Sequence, residues 1–412
     1  MTETLNERLK SPIPIRELER RTAALQQAMK AEGIDCVIAQ NITQYLGGCN
    51  RWLTDTTAEN NYPQSSILPA EGAVRYIACS GPPLDLYPPS HLLRIGQPYA
   101  AQPYFSPFNF THTWEGRMAL KWIHDNEAKK VGIAGMEMFY WNYYKYIREN
   151  APEIELVDVS DMFDRLRAVK SEDEQSFIRK AADIQDKALS YVQVYAQPGV
   201  REYELRSKLM QILTDHGGEE MIVTLGSCPQ GEKMQLMPSY FQNRALKKGD
   251  MLFVKLSTAG PGGMFTTVGR LYSVGCEPSE KMKRDFELAV KAEEKLVSML
   301  KKDARPEKIF EEYNEYLQQL ELQKLGGDWE TITPPMKEGL DRAKTYSQGY
   351  DHVERPSIQP GETMTIEKDM MMCANVRLKG AEIECGYISD SYLIGDRKAE
   401  KLHNAPAAIL RT

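Results

Sequence analysis

The chain has 412 residues, 42% of them hydrophobic and 26% charged, a balance that excludes disordered and fibrous classes. A chain of this length can bury substantial cores and predicts two domains or three. The formal net charge of −7, with Lys and Arg dispersed rather than clustered, argues against a nucleic-acid surface and favours small-molecule partners.

Seven cysteines (Cys36, Cys49, Cys79, Cys228, Cys276, Cys373 and Cys385) are scattered, odd in number and free of any C-x-x-C pair. That pattern suits free thiols in a reducing compartment. The start, MTETLNERLKSPIPIRELERR, is charged and lacks the apolar core of a signal peptide, and no run of about eighteen apolar residues follows. A soluble, cytoplasmic protein is expected.

From Ile15 to about Gly33 the periodicity predicts an amphipathic helix, and IDCVIAQ then reads as a buried strand. The strand-like runs AVRYIACS and KKVGIAGM alternate with the helical stretches MALKWIHDNEA and WNYYKYIREN, which predicts an α/β layer. We set this N-terminal α/β domain at residues 1–165 and a second domain at 166–412. The second opens on a long helix: Ser171 and Glu174 have capping-box spacing, and Phe177, Ala181, Ile184, Ala188 and Val192 recur at helical intervals. Helices and then Gly-punctuated strands follow. A weak internal repeat lays Lys187 to Leu213 on Lys295 to Leu320, each a pair of helices around a Pro turn.

Within this half VKLSTAGPGGMFTTVGRL forms two strand-like runs around a Gly/Pro turn, and no Asp or Glu occurs from Met251 to Cys276. Together with LRAVKSEDEQSFIRKAADIQDKAL, QPGVREYEL, NRALKKGDMLFVKLS, GGMFTTVGRLYSVG, IQPGETMTIEKDMMM and GYISDSYLIGD, these stretches resemble, in order, the creatinase/aminopeptidase superfamily. Creatinase and the dimethylsulfoniopropionate lyases are its most similar branches, judged by AGPGGMFTTVGR and YLGGCNRWLTDTTAENNYP. The resemblance implies an α/β (α+β) protein: a small N-terminal α/β domain, then a pita-bread domain with pseudo-twofold symmetry.

Most members of that superfamily hold two divalent ions with two Asp, one His and two Glu, and each slot can be checked against this chain. The first Asp slot falls on Lys255 or Ser257 and the second on Thr267. Anchored on Glu354 and Pro356, the His slot falls on Tyr350, with His352 two residues out of register. The Glu slots fall on Glu367, which is retained, and on Ser389, beside Asp390. One carboxylate cannot hold two hard cations, and an ammonium at an Asp position repels them. No metal and no other cofactor is therefore expected.

Lys255, between Val254 and Leu256, is expected on a buried strand. It would either pair with Glu367 or Asp390, or act as a base of depressed pKa. Glu367, in the alternating MTIEKDMMM, is expected to be buried beside it. His352, Tyr350 and Tyr240 are candidates for proton transfer, although a loop or core role competes for a lone histidine. Creatinase's own catalytic His would fall near LMPSYFQNR, where this chain has Pro238, Ser239 and Tyr240. Arg270 is expected to brace strands.

In creatinase-like dimers the segment corresponding to Cys49 to Pro63 closes the neighbouring subunit's pocket. A homodimer is therefore expected, with Arg51, Trp52 and Asp55 as substrate contacts and the indole as a wall for a cationic group. Taken together, Glu367, Lys255, Tyr350 and His352 form the expected catalytic group, with Arg51, Trp52, Asp55, Tyr240 and Asp390 as binding residues. The expected activity is metal-independent hydrolysis of a C–N bond in a small nitrogenous carboxylate. A lyase of the dimethylsulfoniopropionate type and a non-catalytic binding module are the alternatives.

Overall fold

A computed structural model describes residues 13–41, 48–56, 63–79, 96–102, 113–234, 242–320, 345–378 and 385–412. The chain divides into two compact units, residues 1–167 and 168–412.

The first unit is a six-stranded sheet with helices. It runs α1 (Ile15–Glu32), β1 (Cys36–Asn41), α2 (Gly48–Thr54), β2 (Gln64–Pro69), β3 (Arg75–Cys79), β4 (Gln97–Gln102), α3 (Trp114–Asp125), β5 (Lys130–Ala134), α4 (Trp141–Asn150), β6 (Glu155–Asp158) and α5 (Ser160–Ala168). The strand order is β4-β3-β2-β1-β5-β6, with β1, β5 and β6 parallel. Parallel strands covered by helices carry apolar runs, and Cys36, Ile38, Val131 and Ile133 pack with Leu120, Ile123 and Ile147 of α3 and α4. Helix α1 ends at Gly33, whose φ of 65° is the left-handed turn that glycine adopts without strain.

The second unit opens on α6 (Glu172–Tyr195), and here the expected capping box is present. The Ser171 side chain accepts from the Glu174 amide, and the Glu174 carboxylate accepts from the Ser171 amide. It continues through α7 (Glu202–Asp215), β7 (Glu220–Pro229), β8 (Asp250–Ala259), β9 (Phe265–Ser273), α8 (Glu280–Met299), α9 (Pro306–Gln319), β10 (Thr345–Ser347), β11 (Glu354–Ser357), β12 (Met371–Arg377), β13 (Tyr387–Ile394), β14 (Ala399–Lys401) and β15 (Leu410–Arg411). The sheet runs β11-β10-β12-β13-β9-β8-β7, with β14 beside β13 and β15 beside β9.

The β13/β9 junction relates two similar halves. On one side β9, β8 and β7 carry α6 and α7; on the other β13, β12 and β10 carry α8 and α9. Two clusters make the core: Ile184, Ala188, Leu205 and Leu209 against Val254, Leu256 and Val268, and Phe286, Ala289 and Leu296 against Met372, Ala374, Val376 and Ile388. This is the pseudo-twofold pita-bread arrangement, and the helix pairs are the two copies of the weak sequence repeat. Among the described residues no helix is long and apolar enough to cross a membrane.

Candidate functional site

Strand alternation gives the second unit's sheet two chemically distinct faces. Val254, Leu256, Val268 and Tyr272 point toward α6 and α7. Their sequence neighbours therefore point to the opposite face, and antiparallel register aligns them in rows. One row is Thr224, Lys255, Gly269, Ser389 and Asn375. An adjacent one joins Ser257 to Thr267, and Ser391, Cys373 and Tyr346 extend the face on β13, β12 and β10.

At the second Asp slot the chemistry is neutral. Gln348 Nε2 donates to Thr267 Oγ1 at 3.0 Å, Thr267 Oγ1 donates to Ser257 Oγ at 2.9 Å, and the Thr267 amide donates to Ser391 Oγ at 2.9 Å. Asn375 Nδ2 lies 3.2 Å from the Cys373 sulfur, and burial pushes that thiol up to about 12. A thiol so placed stays protonated at neutral pH.

Lys255 is a cation on this face, as is Arg377. Burial lowers its pKa, Cys373 opposes that shift, and Arg377 adds to it. No ion pair joins Lys255 to Glu367 or to Asp390, contrary to expectation. Asp390 is buried beyond the other face, 2.9 Å from Arg270 and 2.9 Å from Lys401. Its role is structural, since strand parity turns it away from Ser389 and the Lys255 row. Glu367 is exposed and lies outside any strand. The preceding segment pairs with the α8–α9 turn, where the Asp303 amide donates to Ile366 O and the Ile366 amide to Ala304 O. Met364 and Ile366 take the buried positions of its alternation, so Glu367 is turned outward.

His352 does belong to the Lys255 neighbourhood. Its ring stands edge-on to Phe265 and Tyr346, with centroids 5.8 and 5.9 Å away. Nε2 is buried without a hydrogen-bond partner among the described residues. Burial first, and the Lys255 charge second, push its pKa down to about 4, so the imidazole is neutral at pH 7.

A buried ion pair braces the turn that carries His352. Glu354 Oε2 lies 2.8 Å from Lys170 Nζ, and its other oxygen accepts from the Asp351 amide at 3.2 Å. A Cβ at Gly349 would lie 2.4 Å from that carboxylate, so only glycine fits there. Tyr350 is buried in the same turn.

Of the other expected binding residues, Tyr240 lies outside the described residues. Trp52 is not a pocket wall: it is 1% exposed, its ring edge meets Phe163 at 5.9 Å, and the Arg21 guanidinium covers it at 5.5 Å. The cation that the indole attracts is supplied by its own unit. Arg51 is buried beside it on α2, and Asp55 follows that helix with φ 60°. Sequence reasoning missed Tyr346, Gln348, Cys373, Asn375 and Arg377. The last three share odd positions of β12, so the alternation of MMCANVR holds the signal once its register against β13 is known.

The slot residues do not fit a pair of divalent ions. An ammonium, a hydroxyl already committed to Ser257, and a serine replace the carboxylates. Among the described residues no group of three or more His, Cys, Asp or Glu side chains is arranged to hold a metal.

The family model for metallopeptidase family M24 matches residues 176–395. An uncharacterized peptidase of Bacillus subtilis is 24% identical over 169 residues, 40% of this chain and 46% of that protein. A probable dipeptidase of Mycobacterium tuberculosis is 29% identical over 137 residues, 32% of this chain and 35% of that one. The chain thus matches less than half the length of these curated relatives. A solved Xaa-Pro dipeptidase from Bacillus anthracis superposes with a TM-score of 0.73 at 15% identity, over 96% of this chain and 100% of that one. At such identity the likeness is one of fold.

Proposed function

The chain belongs to metallopeptidase family M24, within the creatinase/aminopeptidase superfamily, and we propose that it hydrolyses a C–N bond of a small nitrogenous carboxylate without a metal ion. One observation carries this reading: the first Asp slot, which falls on Lys255 or Ser257, holds no carboxylate but has a lysine in it or beside it, next to a neutral histidine whose Nε2 has no partner among the described residues. Hydrolysis needs a base for water and a fixed positive charge for the developing anion. His352 is neutral at pH 7, the state a base requires, with Nε2 unpartnered among the described residues, and the Lys255 ammonium supplies a fixed positive charge for an anionic group of the substrate. Cys36, Cys49, Cys228, Cys276, Cys373 and Cys385 form no disulfides, which suits a cytoplasmic setting.

The test is cleavage, followed by proton NMR, of Xaa-Pro dipeptides and N-substituted glycines by chelator-treated protein. We expect turnover that added chelator leaves unchanged and that His352→Asn lowers at least a hundredfold. Turnover appearing only with added divalent ions would overturn metal independence. Specific binding without any cleavage would establish a binding module, the reading that the neutral hydroxyl network around Thr267 favours.

A further inference from the structure

Lys255 has no counter-ion in its own chain among the described residues. Every nearby anionic candidate among the described residues is engaged, neutral or turned away. Asp390 serves Arg270 and Lys401 beyond the opposite face. Glu354 is committed to Lys170. Cys373 remains a thiol at neutral pH. Glu367 is exposed and makes no ion pair with Lys255. The other charge felt at the ammonium, that of Arg377, is positive. A half-buried cation without a partner is costly, and strand β8 gives its backbone little freedom to withdraw.

Gly269 lies between Lys255 and Ser389 in the cross-strand row. A Cβ there would meet Ser389 Cβ and the Phe253 ring, both at 3.2 Å. The backbone at Gly269 is therefore closely packed under Phe253 and Ser389, and His352 presents an unsatisfied nitrogen on the same face as Lys255.

We infer that Lys255 is the receptor for the substrate's carboxylate, with Ser389, further along the same cross-strand row, as a flanking hydroxyl. This deepens the proposed function and rests on it for the word substrate, but the anion subsite itself exists whether or not the ligand is cleaved. The ligand's anionic end then fills the position where a charge is missing, and its scissile bond lies toward His352. The complementary ligand is a small monocarboxylate whose nitrogen is a few bonds from the carboxyl carbon. A neutral amide analogue should bind far more weakly, because it brings no charge to the ammonium.

The test uses the full chain with acetate as the probe, acetamide as its neutral isostere and methylammonium as a cation, at constant ionic strength. Binding is read from saturation-transfer NMR and thermal melts. We expect acetate to bind and to raise Tm, acetamide to bind at least tenfold more weakly, and methylammonium not to bind. Lys255→Met should weaken acetate at least tenfold and Lys255→Arg should restore part of it. In the unmodified protein acetate should also protect Lys255 from a small amine-acylating reagent, mapped by mass spectrometry, which keeps the idea testable if a variant fails to fold. Equal binding of acetate and acetamide, unchanged acetate affinity in Lys255→Met, or no protection would overturn the inference. Absence of turnover with acetate binding intact would instead strike only the hydrolase reading.

Discussion

Two cations stand near one another in β8 and β9, on opposite faces of one sheet. Arg270 has five N–H groups and five acceptors: the carbonyls of Gly269, Ser389, Ala405 and Pro406, and Asp390 Oδ1, all at 2.8 to 2.9 Å. Lys255 has none of these among the described residues. The first charge is saturated by its own fold and holds the β9/β13 junction, where the two halves meet. The second is left available. The contrast separates charge that specifies structure from charge that awaits a ligand, a distinction that residue type and burial alone do not make.

The largest test of this contrast compares Arg270→Met with Lys255→Met by urea denaturation. Losing Arg270 leaves buried Asp390 to Lys401 alone and four carbonyls without their donor, and should cost on the order of 4 kcal/mol, whereas losing Lys255 removes an uncompensated ammonium and should be neutral or stabilising by about 1 kcal/mol. Equal costs at the two positions would erase the distinction.

A smaller effect sharpens the open face. The His352 imidazole is pushed down from its ordinary value of 6.5 to about 4 in the folded state, so the unfolded chain takes up a proton first as pH falls. Stability drawn from neutral His352 is therefore present above pH 6.5 and is lost progressively as pH falls toward 4. Relative to His352→Asn, the chain should lose on the order of 3 kcal/mol across that window. Lys255→Met should narrow the difference by removing one of the two causes. Stability curves that stay parallel from pH 7 to 4 would show that Lys255 and His352 do not share a site.

The smallest effect tests a separation. Glu367 is exposed and not paired with Lys255, so Glu367→Gln should change stability by less than about 0.5 kcal/mol. A double-mutant cycle with Lys255→Met should show additivity. A coupling above about 1 kcal/mol would mean that the two charges meet after all.

Much of the scaffold was legible in the chain, because it rests on local rules. The Ser171 capping box, the helices over MALKWIHDNEA and WNYYKYIREN, the strands at β1, β3 and β5, and the helix pairs of the weak repeat depend on periodicity, caps and turn residues within a few positions. The replacement of carboxylates by Lys255 or Ser257, by Thr267 and by Ser389 was legible too, since it requires only that motif residues be read in order. Arg270 as a strand brace followed from its place in the same motif.

Tertiary structure decided where those side chains point and whom they meet. Alternation predicts that Glu367 and Ile366 face opposite ways, but only docking of their segment on the α8–α9 turn determines which one is outside. The polar neighbours of Trp52 suggested a pocket wall, yet Arg21, thirty-one residues away, and Phe163 close over it. Cys373, Tyr346 and His352 come from separate stretches and reach the Lys255 face only through the register of β8, β9, β13, β12 and β10. The sequence by itself determined which charges the chain carries and which elements hold them. Their compensation was decided by strand pairing, because whether a buried charge is satisfied depends on partners a hundred residues away that no local pattern encodes.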